Sequence, residues 1–441
     1  MTETYNKSIL VKEGYKETKL GLIPKDWTTP TISEVFDFLK TTSFSRNQLS
    51  YDDENNIFYI HYGDIHATFK KPLLDFETEA NVPRLNDDVT LPNSVQYLQN
   101  GDVIIADASE DYDGVGEAIE IKNLNGKTAI SGLHTFALRD IDKKTVPGFR
   151  TYIFKNPIVK KALKTIATGS KVYGISKSNT QKFKIVLPTL PEQQKIASIL
   201  NTWDKAIAAQ EKLIAQKQEL KKGLMQQLLT GKKRFAGFSE EWEVKTMNDI
   251  VKYIGGEAFK SISQVEKGVK WLKIANVGIG SIKWDGNTTF LPSSFIEINP
   301  KYVLNEGDIV MALTRPILNN KLKIAAFNKK DGVALLNQRV AKLVSKNKND
   351  LKFIYYLHQM PYFIYSMNAM MAGTDPPNIS LKDLSKARVK TPSFDEQKMI
   401  VSIIESFDFE INCLVSVKEQ IFNQQQGLMQ QLLTGKKRVK L

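Results

Sequence analysis

The residues that come closest to a catalytic motif are Asp-Pro-Pro-Asn, at positions 375–378. Methyltransferases that act on the amino group of adenine use Asp-Pro-Pro followed by an aromatic ring, which stacks on a flipped base. Here the fourth position is Asn378, so the stacking ring is missing, and no glycine-rich cofactor motif accompanies it. We interpret the segment as a loop stiffened by its prolines.

Other catalytic and metal-binding patterns are equally incomplete. Gly-Lys-Lys at 231–233 lacks the upstream glycine of a phosphate-binding loop, and no carboxylate cluster suggests a nuclease. The histidines and the one cysteine lack the spacing of a zinc site: His61, His66, His134, His358 and Cys413. The sequence therefore predicts a protein that binds rather than catalyses, with no metal and no cofactor of its own.

Composition narrows the kind of partner. The chain has 441 residues, of which 42% are hydrophobic and 25% charged, which is typical of a globular protein with two or three domains. Its net charge of +13 favours a nucleic acid as partner, and an anionic membrane surface second. A single cysteine, no signal-like start and no apolar run of about 18 residues predict a cytoplasmic protein without a membrane span.

Short motifs recur in the same order in the two halves of the chain. The phrase GLMQQLLTGKKR occupies 223–234 and again 427–438. The other pairs are IPKDW ending at Trp27 with FSEEW ending at Trp242, NGDVIIA at 100–106 with EGDIVMA at 306–312, TGSKVYGIS ending at Ser176 with AGTDPPNIS ending at Ser380, and EQQKIASIL at 192–200 with EQKMIVSII at 396–404. The sequence between them differs, so the chain is a duplication in which one part stayed constant and another diverged.

The constant part predicts a long helix in each half. From 192 to about 230 the residues are mostly helix formers, with Pro191 suited to the first turn and Gly231 to a C-cap. An apolar seam with three- and four-residue spacing comprises Ile196, Leu200, Trp203, Ile207, Ile214, Leu224 and Leu228, and then Ile400, Ile404, Phe407, Ile411, Leu414, Ile421, Leu428 and Leu432.

Each helix would be a rod of roughly 60 Å, too long to bury in one small domain. We therefore expect the two helices to pair as an antiparallel coiled coil with pseudo-two-fold symmetry, rather than to lie as independent surface helices. The divergent parts mix short β-rich runs with helical patches. The predicted fold class is α+β, with two tandem mixed α/β domains at 1–187 and 235–391, and the constant helices at 188–234 and 392–441.

The five recurring motifs together resemble the specificity (S) subunit of type I restriction–modification systems, over nearly the whole chain. The resemblance implies that each variable domain is a target-recognition domain that reads one half-site of a bipartite target in double-stranded DNA. It implies a non-catalytic subunit that docks two modification (methyltransferase) subunits and, through them, two restriction (motor-nuclease) subunits. S-adenosylmethionine, ATP and magnesium would belong to those partners, with none in this chain.

Loops are where we expect residues that contact DNA. Arginine and asparagine can pair bidentately with guanine and adenine, whereas lysines more often hold phosphates. The candidates are Lys40, Ser43, Arg46, His61, Tyr62, Lys171 and Tyr173 in the first domain, and Lys260, Ser261, Asn276, Arg315, Asn319, Asn320, Thr374 and Asn378 in the second.

Two further sets of polar residues lie on or after the helices. We expect the outward helix faces to meet partner subunits through Gln193, Gln194, Gln216, Gln226 and Gln227. The Lys-Lys-Arg ends at 232–234 and 436–438 either meet DNA phosphates or complement the helix dipole.

Three other functions fit parts of the pattern. The chain could serve a related type II restriction–modification system, which neighbouring genes would distinguish. It could be a single-chain DNA methyltransferase, against which the missing cofactor motifs argue, or a coiled-coil scaffold that does not bind DNA. Binding of S-adenosylmethionine by the isolated chain tests the methyltransferase, and a mobility-shift assay tests the scaffold.

Overall fold

The computed structural model describes residues 13–51, 56–69, 71–284, 286 and 288–441. The prediction that the chain starts without a signal segment concerns residues 1–12, among others, and these lie outside the described residues. The chain forms two units: unit 1 comprises Met1–Lys212 and Ser416–Leu441, and unit 2 comprises Leu213–Val415. Each unit therefore contains one part of each long helix.

The two longest helices, α6 and α12, have parts in both units, and the other helices are short. The helices are α1 (Ile32–Val35), α2 (Tyr62–Ala67), α3 (Arg150–Lys155), α4 (Pro157–Ile166), α5 (Lys177–Lys182), α6 (Leu190–Leu228), α7 (Met247–Ile250), α8 (Phe295–Ile298), α9 (Leu351–His358), α10 (Pro361–Met370), α11 (Leu381–Lys386) and α12 (Phe394–Leu433). Within the described residues, no helix combines the length and the apolar character that crossing a membrane requires.

The strands are mostly two to five residues long. Unit 1 contains β1 (Tyr15–Thr18), β2 (Gly21–Pro24), β3 (Asp37–Leu39), β4 (Leu49–Ser50), β5 (Ile57–Ile60), β6 (Leu73–Asp75), β7 (Arg84–Leu85), β8 (Val103–Ala106), β9 (Ala108–Ser109), β10 (Ala118–Lys122), β11 (Thr128–Ser131), β12 (Thr135–Arg139) and β13 (Tyr173–Gly174). Unit 2 contains β14 (Glu243–Thr246), β15 (Val251–Gly255), β16 (Val269–Leu272), β17 (Phe290–Leu291), β18 (Val303–Leu304), β19 (Ile309–Ala312), β20 (Ile317–Leu318), β21 (Lys321–Leu322), β22 (Ile324–Ala326), β23 (Ala334–Leu336), β24 (Val340–Ser345) and β25 (Arg388–Thr391).

The same central sheet occurs in both units. In unit 1 the strand order is β3-β12-β8-β10-β6, and in unit 2 it is β15-β24-β19-β22. The β8–β12 pair is antiparallel, with Ile105 opposite Phe136, and β19–β24 repeats it with Met311 opposite Ala341. Each unit also has a second sheet, in the orders β11-β5-β7-β4 and β17-β16-β23-β18. The predicted α+β class and the duplication are confirmed.

The recurring Gly-Asp motif forms the turn into the central strand of each sheet. The glycine before each aspartate has a φ of +89° or +90°, which side chains disfavour. Asp102 accepts two hydrogen bonds from Arg139, at 2.9 and 2.6 Å, and Asp308 accepts one from Lys342 at 2.7 Å. Since both pairs tie neighbouring strands together, the motif is structural.

The ends of the long helices belong to the cores of the units. In unit 1, Ile196 and Leu200 of α6 are buried in one cluster with Leu432 of α12. In unit 2, Leu228 of α6 is buried together with Ile400 and Ile404 of α12. Each unit thus buries the start of one long helix beside the end of the other.

Polar side chains show that the two long helices run antiparallel. In successive contacts between the helices, the residue number rises along α6 while it falls along α12. The contacting pairs are Asp204 with Gln425, Glu211 with Lys418, Lys217 with Glu410, and Lys221 with Asp408. The antiparallel pairing predicted from the sequence is confirmed. Polar pairs between helices, such as the part-buried contact of Gln425 with Asp204, fix the register of paired helices, which apolar residues alone leave undetermined.

The seam residues are all buried or half-buried. The buried ones are Ile196, Leu200, Ile214, Leu228, Ile400, Ile404, Ile411 and Leu432; the half-buried ones are Trp203, Ile207, Leu224, Phe407, Leu414, Ile421 and Leu428. Four further residues of the long helices each bridge the two helices through a side-chain contact: Lys217, Lys221, Lys418 and Gln425.

Candidate nucleic-acid interface

A buried carboxylate joins the end of α12 to the start of α6 in unit 1. Glu192 accepts a hydrogen bond from the indole N–H of Trp27 at 2.7 Å and another from Arg438 Nε at 2.6 Å. Arg438 also donates to Asp26, with Nη2 2.6 Å from Oδ2. Trp27 and Glu192 are each only 1% exposed. We call this group of tryptophan, glutamate and arginine the helix-end clamp.

Unit 2 contains the same clamp with the helices exchanged. Arg234, just beyond the end of α6, donates to Glu396 at the start of α12, with Nη2 2.8 Å from Oε2. The indole N–H of Trp242 lies 3.2 Å from the same carboxylate oxygen. The same three residue types thus form the clamp in both units. They are Trp27, Glu192 and Arg438 in unit 1, and Trp242, Glu396 and Arg234 in unit 2. The motifs that contain them recur because each unit needs its own clamp.

The structure shows where the predicted polar residues on and after the long helices lie. Arg234 and Arg438 form ion pairs with Glu396 and Glu192, which the sequence did not predict, and the role of the neighbouring lysines stays a prediction. Gln193 is 1% exposed, because its amide accepts a hydrogen bond from Val146 N at 2.9 Å and donates to Pro188 O. It cannot face a partner subunit. The other glutamines and the paired lysines are exposed: Gln194, Gln216, Gln226, Gln227, Lys232, Lys233, Lys436 and Lys437.

Three loops meet at one end of the central sheet of unit 1. Directly after β8, Asp107 N donates to His134 O at 3.1 Å, and Ile175 N donates to Asp107 O at 2.8 Å. Next along the chain, Ser109 lies opposite Tyr173 in the β9–β13 pair. We call this arrangement, formed by 107–109, 134 and 173–175, the strand-end ladder of unit 1.

Unit 2 repeats the ladder with the same backbone hydrogen bonds. Leu313 N donates to Arg339 O at 2.9 Å, and Ile379 N donates to Leu313 O at 2.9 Å. Arg315 N donates to Pro377 O at 2.7 Å. The strand-end ladder of unit 2 is therefore formed by 313–315, 339 and 377–379.

The two ladders match position by position but carry different side chains. His134 corresponds to Arg339, and Asp107 to Leu313, because each pair makes the same backbone hydrogen bonds. By the same criterion Ser109 corresponds to Arg315, Tyr173 to Pro377, and Gly174 to Asn378. One backbone frame thus presents two chemically different surfaces.

Aromatic rings surround the ladder of unit 1. The Tyr62 ring centre lies 4.6 Å from that of His61 and 5.4 Å from that of His134. His61 is 8% exposed, and its Nδ1 accepts a hydrogen bond from Gly63 N at 3.0 Å. Burial lowers the pKa of His61, so its ring stays neutral near pH 7. His134 is exposed, and its Nδ1 lies 3.3 Å from a carboxylate oxygen of Asp107, whose pKa burial raises.

Other predicted residues of unit 1 lie close to this cluster. Lys40 and Ser43 line a cavity of about 450 Å³ together with His134 and Lys177. The Arg46 guanidinium lies beside the residue at 63, where a Cβ would come within 3.0 Å of Arg46 Nη2, so glycine leaves room for it.

The loop of unit 1 that carries Tyr173 also holds an exposed lysine. The Tyr173 ring lies 5.3 Å from the ring of Tyr112, centre to centre. Lys171, two residues before Tyr173, is exposed to solvent. This loop therefore presents an exposed cation and, two residues later, an aromatic ring that packs on Tyr112.

In unit 2, three predicted residues come together at the ladder. Asn378 Oδ1 accepts a hydrogen bond from Thr314 Oγ1 at 2.9 Å, and Asn378 N donates to Thr374 Oγ1 at 3.1 Å. Arg315, next to Thr314, is exposed and has a φ of +46°. Such a conformation is uncommon for an arginine and is disfavoured for residues with a side chain.

The remaining predicted residues of unit 2 lie in three other places. Asn319 and Asn320 are exposed at the tip of the β20–β21 hairpin, with φ of +49° and +56°, as a two-residue hairpin turn requires. Lys260 and Ser261 are exposed at a 3-10 turn. Asn276 is 1% exposed, accepts from Lys273 N and donates to Lys283 O, both at 3.0 Å, so its amide holds a turn and is not available to a base.

Sequence reasoning missed two exposed ladder residues, His134 and Arg339. Each comes directly before the strand that pairs with the Gly-Asp strand. Aligning the two halves on those strands would have paired them. The clamp was missed for a different reason: its three motifs were recognised as recurring, but nothing in the sequence shows that they meet.

Side chains that could hold a metal ion do not gather in the part of the chain that the structure describes. No group of three or more histidine, cysteine, aspartate or glutamate side chains there is arranged to bind a metal ion. Cys413 is exposed on α12.

Comparison with known proteins gives the same family over both halves. The chain matches the family described as the type I restriction modification DNA specificity domain twice, at residues 24–219 and 239–421. The type I restriction enzyme MjaVIII specificity subunit of Methanocaldococcus jannaschii is 31% identical over 445 residues, covering 97% of each chain. The type I restriction enzyme EcoAI specificity subunit of Escherichia coli is 29% identical over 218 residues, covering 49% of this chain and 36% of its own.

Solved structures share the fold. The S subunit of a type I restriction–modification system from M. genitalium has a TM-score of 0.51 at 14% identity, covering 94% of this chain and 96% of its own. A chain solved in work on the complex assembly and conformational transition of the type I system has a TM-score of 0.57 at 15% identity, covering 94% and 99%.

Proposed function

Because the chain belongs to the family of type I restriction–modification specificity subunits, we propose that each of its units reads one half-site of a bipartite DNA target. The observation that carries this proposal is the pair of strand-end ladders, in which one backbone frame presents different side chains. A protein that reads two different short sequences needs this combination of a constant frame and variable contacts. The net charge of +13 suits the DNA backbone.

We further propose that the long helices dock the partner subunits. Beside the exposed glutamines they present large apolar side chains to solvent: Phe409 is 72% exposed, Leu220 56% and Phe422 48%. Exposed apolar groups on a polar rod are typical of protein interfaces. The partners would be two modification subunits and, through them, two restriction subunits. Catalysis, with S-adenosylmethionine, ATP and magnesium, would then belong to those partners, and this chain would contribute none.

Exchange of one recognition domain tests whether each unit reads its own half-site. Replacing residues 1–187 with the matching segment of another specificity subunit should change one half-site and leave the other intact, because the ladder of unit 2 is untouched. The donor segment needs a tryptophan at the position of Trp27 and an asparagine at that of Asn156, which donates to Leu433 O at 2.6 Å. Methylome sequencing of cells carrying the complete system reads both half-sites. A change in both would contradict the proposal.

Lys171 is expected to hold a DNA phosphate. Lys171→Ala should reduce the slope of log affinity against log salt concentration by about one, since one fewer counterion is released on binding. The matched control is Lys143→Ala, which removes the same charge from an exposed site beyond the far end of β12 and should leave the slope unchanged. Binding of target DNA by the complex with modification subunits is measured between about 50 and 200 mM salt. Equal slopes for Lys171→Ala and wild type would remove Lys171 from the interface.

A further inference from the structure

The two ladders place His134 and Arg339 at the same position of the frame. The backbone oxygen of each accepts a hydrogen bond from the residue that follows the central strand. The donors are Asp107 N for His134, at 3.1 Å, and Leu313 N for Arg339, at 2.9 Å. The backbone is therefore fixed while the side chain is exposed. Neither residue lies within any of the five recurring motifs.

The side chain of Arg339 is available for a ligand. Among the described residues, no side-chain hydrogen bond or ion pair holds its guanidinium, in contrast to Arg139, Arg150, Arg234 and Arg438, whose guanidinium groups are bound within the protein. Its ladder neighbour is Leu313, which offers no charge to pair with it. An unpaired arginine on a fixed backbone suits a bidentate contact, because its planar fork loses little freedom on binding.

We propose that Arg339 reads the O6 and N7 atoms of a guanine in the half-site of unit 2, and that His134 reads the corresponding base pair in the half-site of unit 1. This inference rests on the proposed function. Guanine is the base whose major-groove edge offers two acceptors to an arginine fork. His134 is differently held, with Nδ1 beside Asp107 and its ring beside Tyr62. The two half-sites should therefore differ at this shared position.

The test uses the complex of this chain with its modification subunits and a set of targets with single base-pair changes. Arg339→Ala should lose discrimination at one guanine-containing base pair of the second half-site, by roughly 5- to 150-fold, and keep it at every position of the first. Retained discrimination in the first half-site shows that the variant is folded. Arg339→Lys keeps the charge but not the fork, so it should lose the same discrimination.

A modified base tests the contact directly. Replacing that guanine by 7-deazaguanine removes the N7 acceptor, so it should weaken binding by wild type and have little further effect on Arg339→Ala. The control variant, Lys330→Ala, removes an exposed cation at the opposite end of the sheet and should leave discrimination unchanged. His134→Ala should relax one base pair of the first half-site only.

Each outcome separates this inference from the proposed function. Uniform weakening of all targets by Arg339→Ala, or equal effects of 7-deazaguanine on variant and wild type, would make Arg339 a phosphate contact and overturn the inference alone. Unchanged discrimination in Arg339→Ala would also overturn it alone. A wild-type complex that prefers no sequence would instead overturn the proposed function.

Discussion

Glu192→Ala is expected to destabilise unit 1 by about 2 kcal/mol. The change leaves the indole N–H of Trp27 without an acceptor in a site that is 1% exposed, and an unsatisfied buried donor costs about 1–3 kcal/mol. Arg438 adds little to this loss, because its side chain is 38% exposed and keeps Asp26 as a partner. Hydrogen exchange of the amides at the start of α6 should therefore become about 30-fold faster, while those at the start of α12 stay protected.

Two matched variants define the cause. Glu192→Gln keeps an oxygen that can accept from Trp27, so it should lose clearly less protection than Glu192→Ala. Glu396→Ala removes the acceptor of Trp242 and should shift the effect to the start of α12. If Glu192→Gln and Glu192→Ala were equally unstable, the charge and not the indole hydrogen bond would dominate the clamp.

Lengthening both long helices together should change the number of unspecified base pairs between the half-sites. Four residues are inserted after Ala215 and four after Cys413, which lie nearly opposite because Glu211 bridges to Lys418 and Lys217 to Glu410. Each helix gains one turn, about 6 Å, and a four-residue insertion is tolerated by local unwinding of the pair. With base pairs ~3.4 Å apart, the spacer should grow by one or two base pairs.

The half-sites themselves should stay the same in the double insertion, because neither ladder is altered. Methylome sequencing of cells carrying the complete system measures both the half-sites and the spacer. As a control, the insertion after Ala215 alone shifts every bridge on one side of it and should destabilise the protein. Activity of the double insertion on the original spacing would show that the paired helices do not set the distance.

The sequence was sufficient to predict the long helices and their pairing, because apolar spacing over many turns leaves few other structures. The recurring Gly-Asp motifs also mark where the central strands begin, since a Gly-Asp turn before a short apolar run is a strong local signal. It did not show that Gln193 is buried, because its partners, Val146 N and Pro188 O, are backbone groups that any sequence would supply. Local sequence patterns predict helices and strands, but they do not predict which loops contact each other in the folded protein.

The candidate site shows the same limit. Loop residues such as Arg315 and Asn378 could be selected by type, but their meeting depends on backbone hydrogen bonds between distant segments. Asn276 has the same residue type and is consumed by its own turn. Arg339 and His134 were not predicted, because their equivalence becomes visible only when the strands of unit 1 are aligned with those of unit 2. Comparing the halves as two copies of one frame supplies information that a single pass along the chain does not.

The origin of unit 1 from two separated stretches of chain has a consequence for how the protein is made. During synthesis the first recognition domain emerges early, but residues 416–441, which complete its unit, are translated only after the whole of unit 2. The hydrogen bond between Glu192 and Arg438 spans 246 positions, so it can form only after all of unit 2 has been translated. Unit 2 has its own arginine, Arg234, long before that. A protein truncated just before Arg438 would therefore keep the helix-end clamp of unit 2 and lose that of unit 1, so the defect would appear in the recognition domain that is translated first.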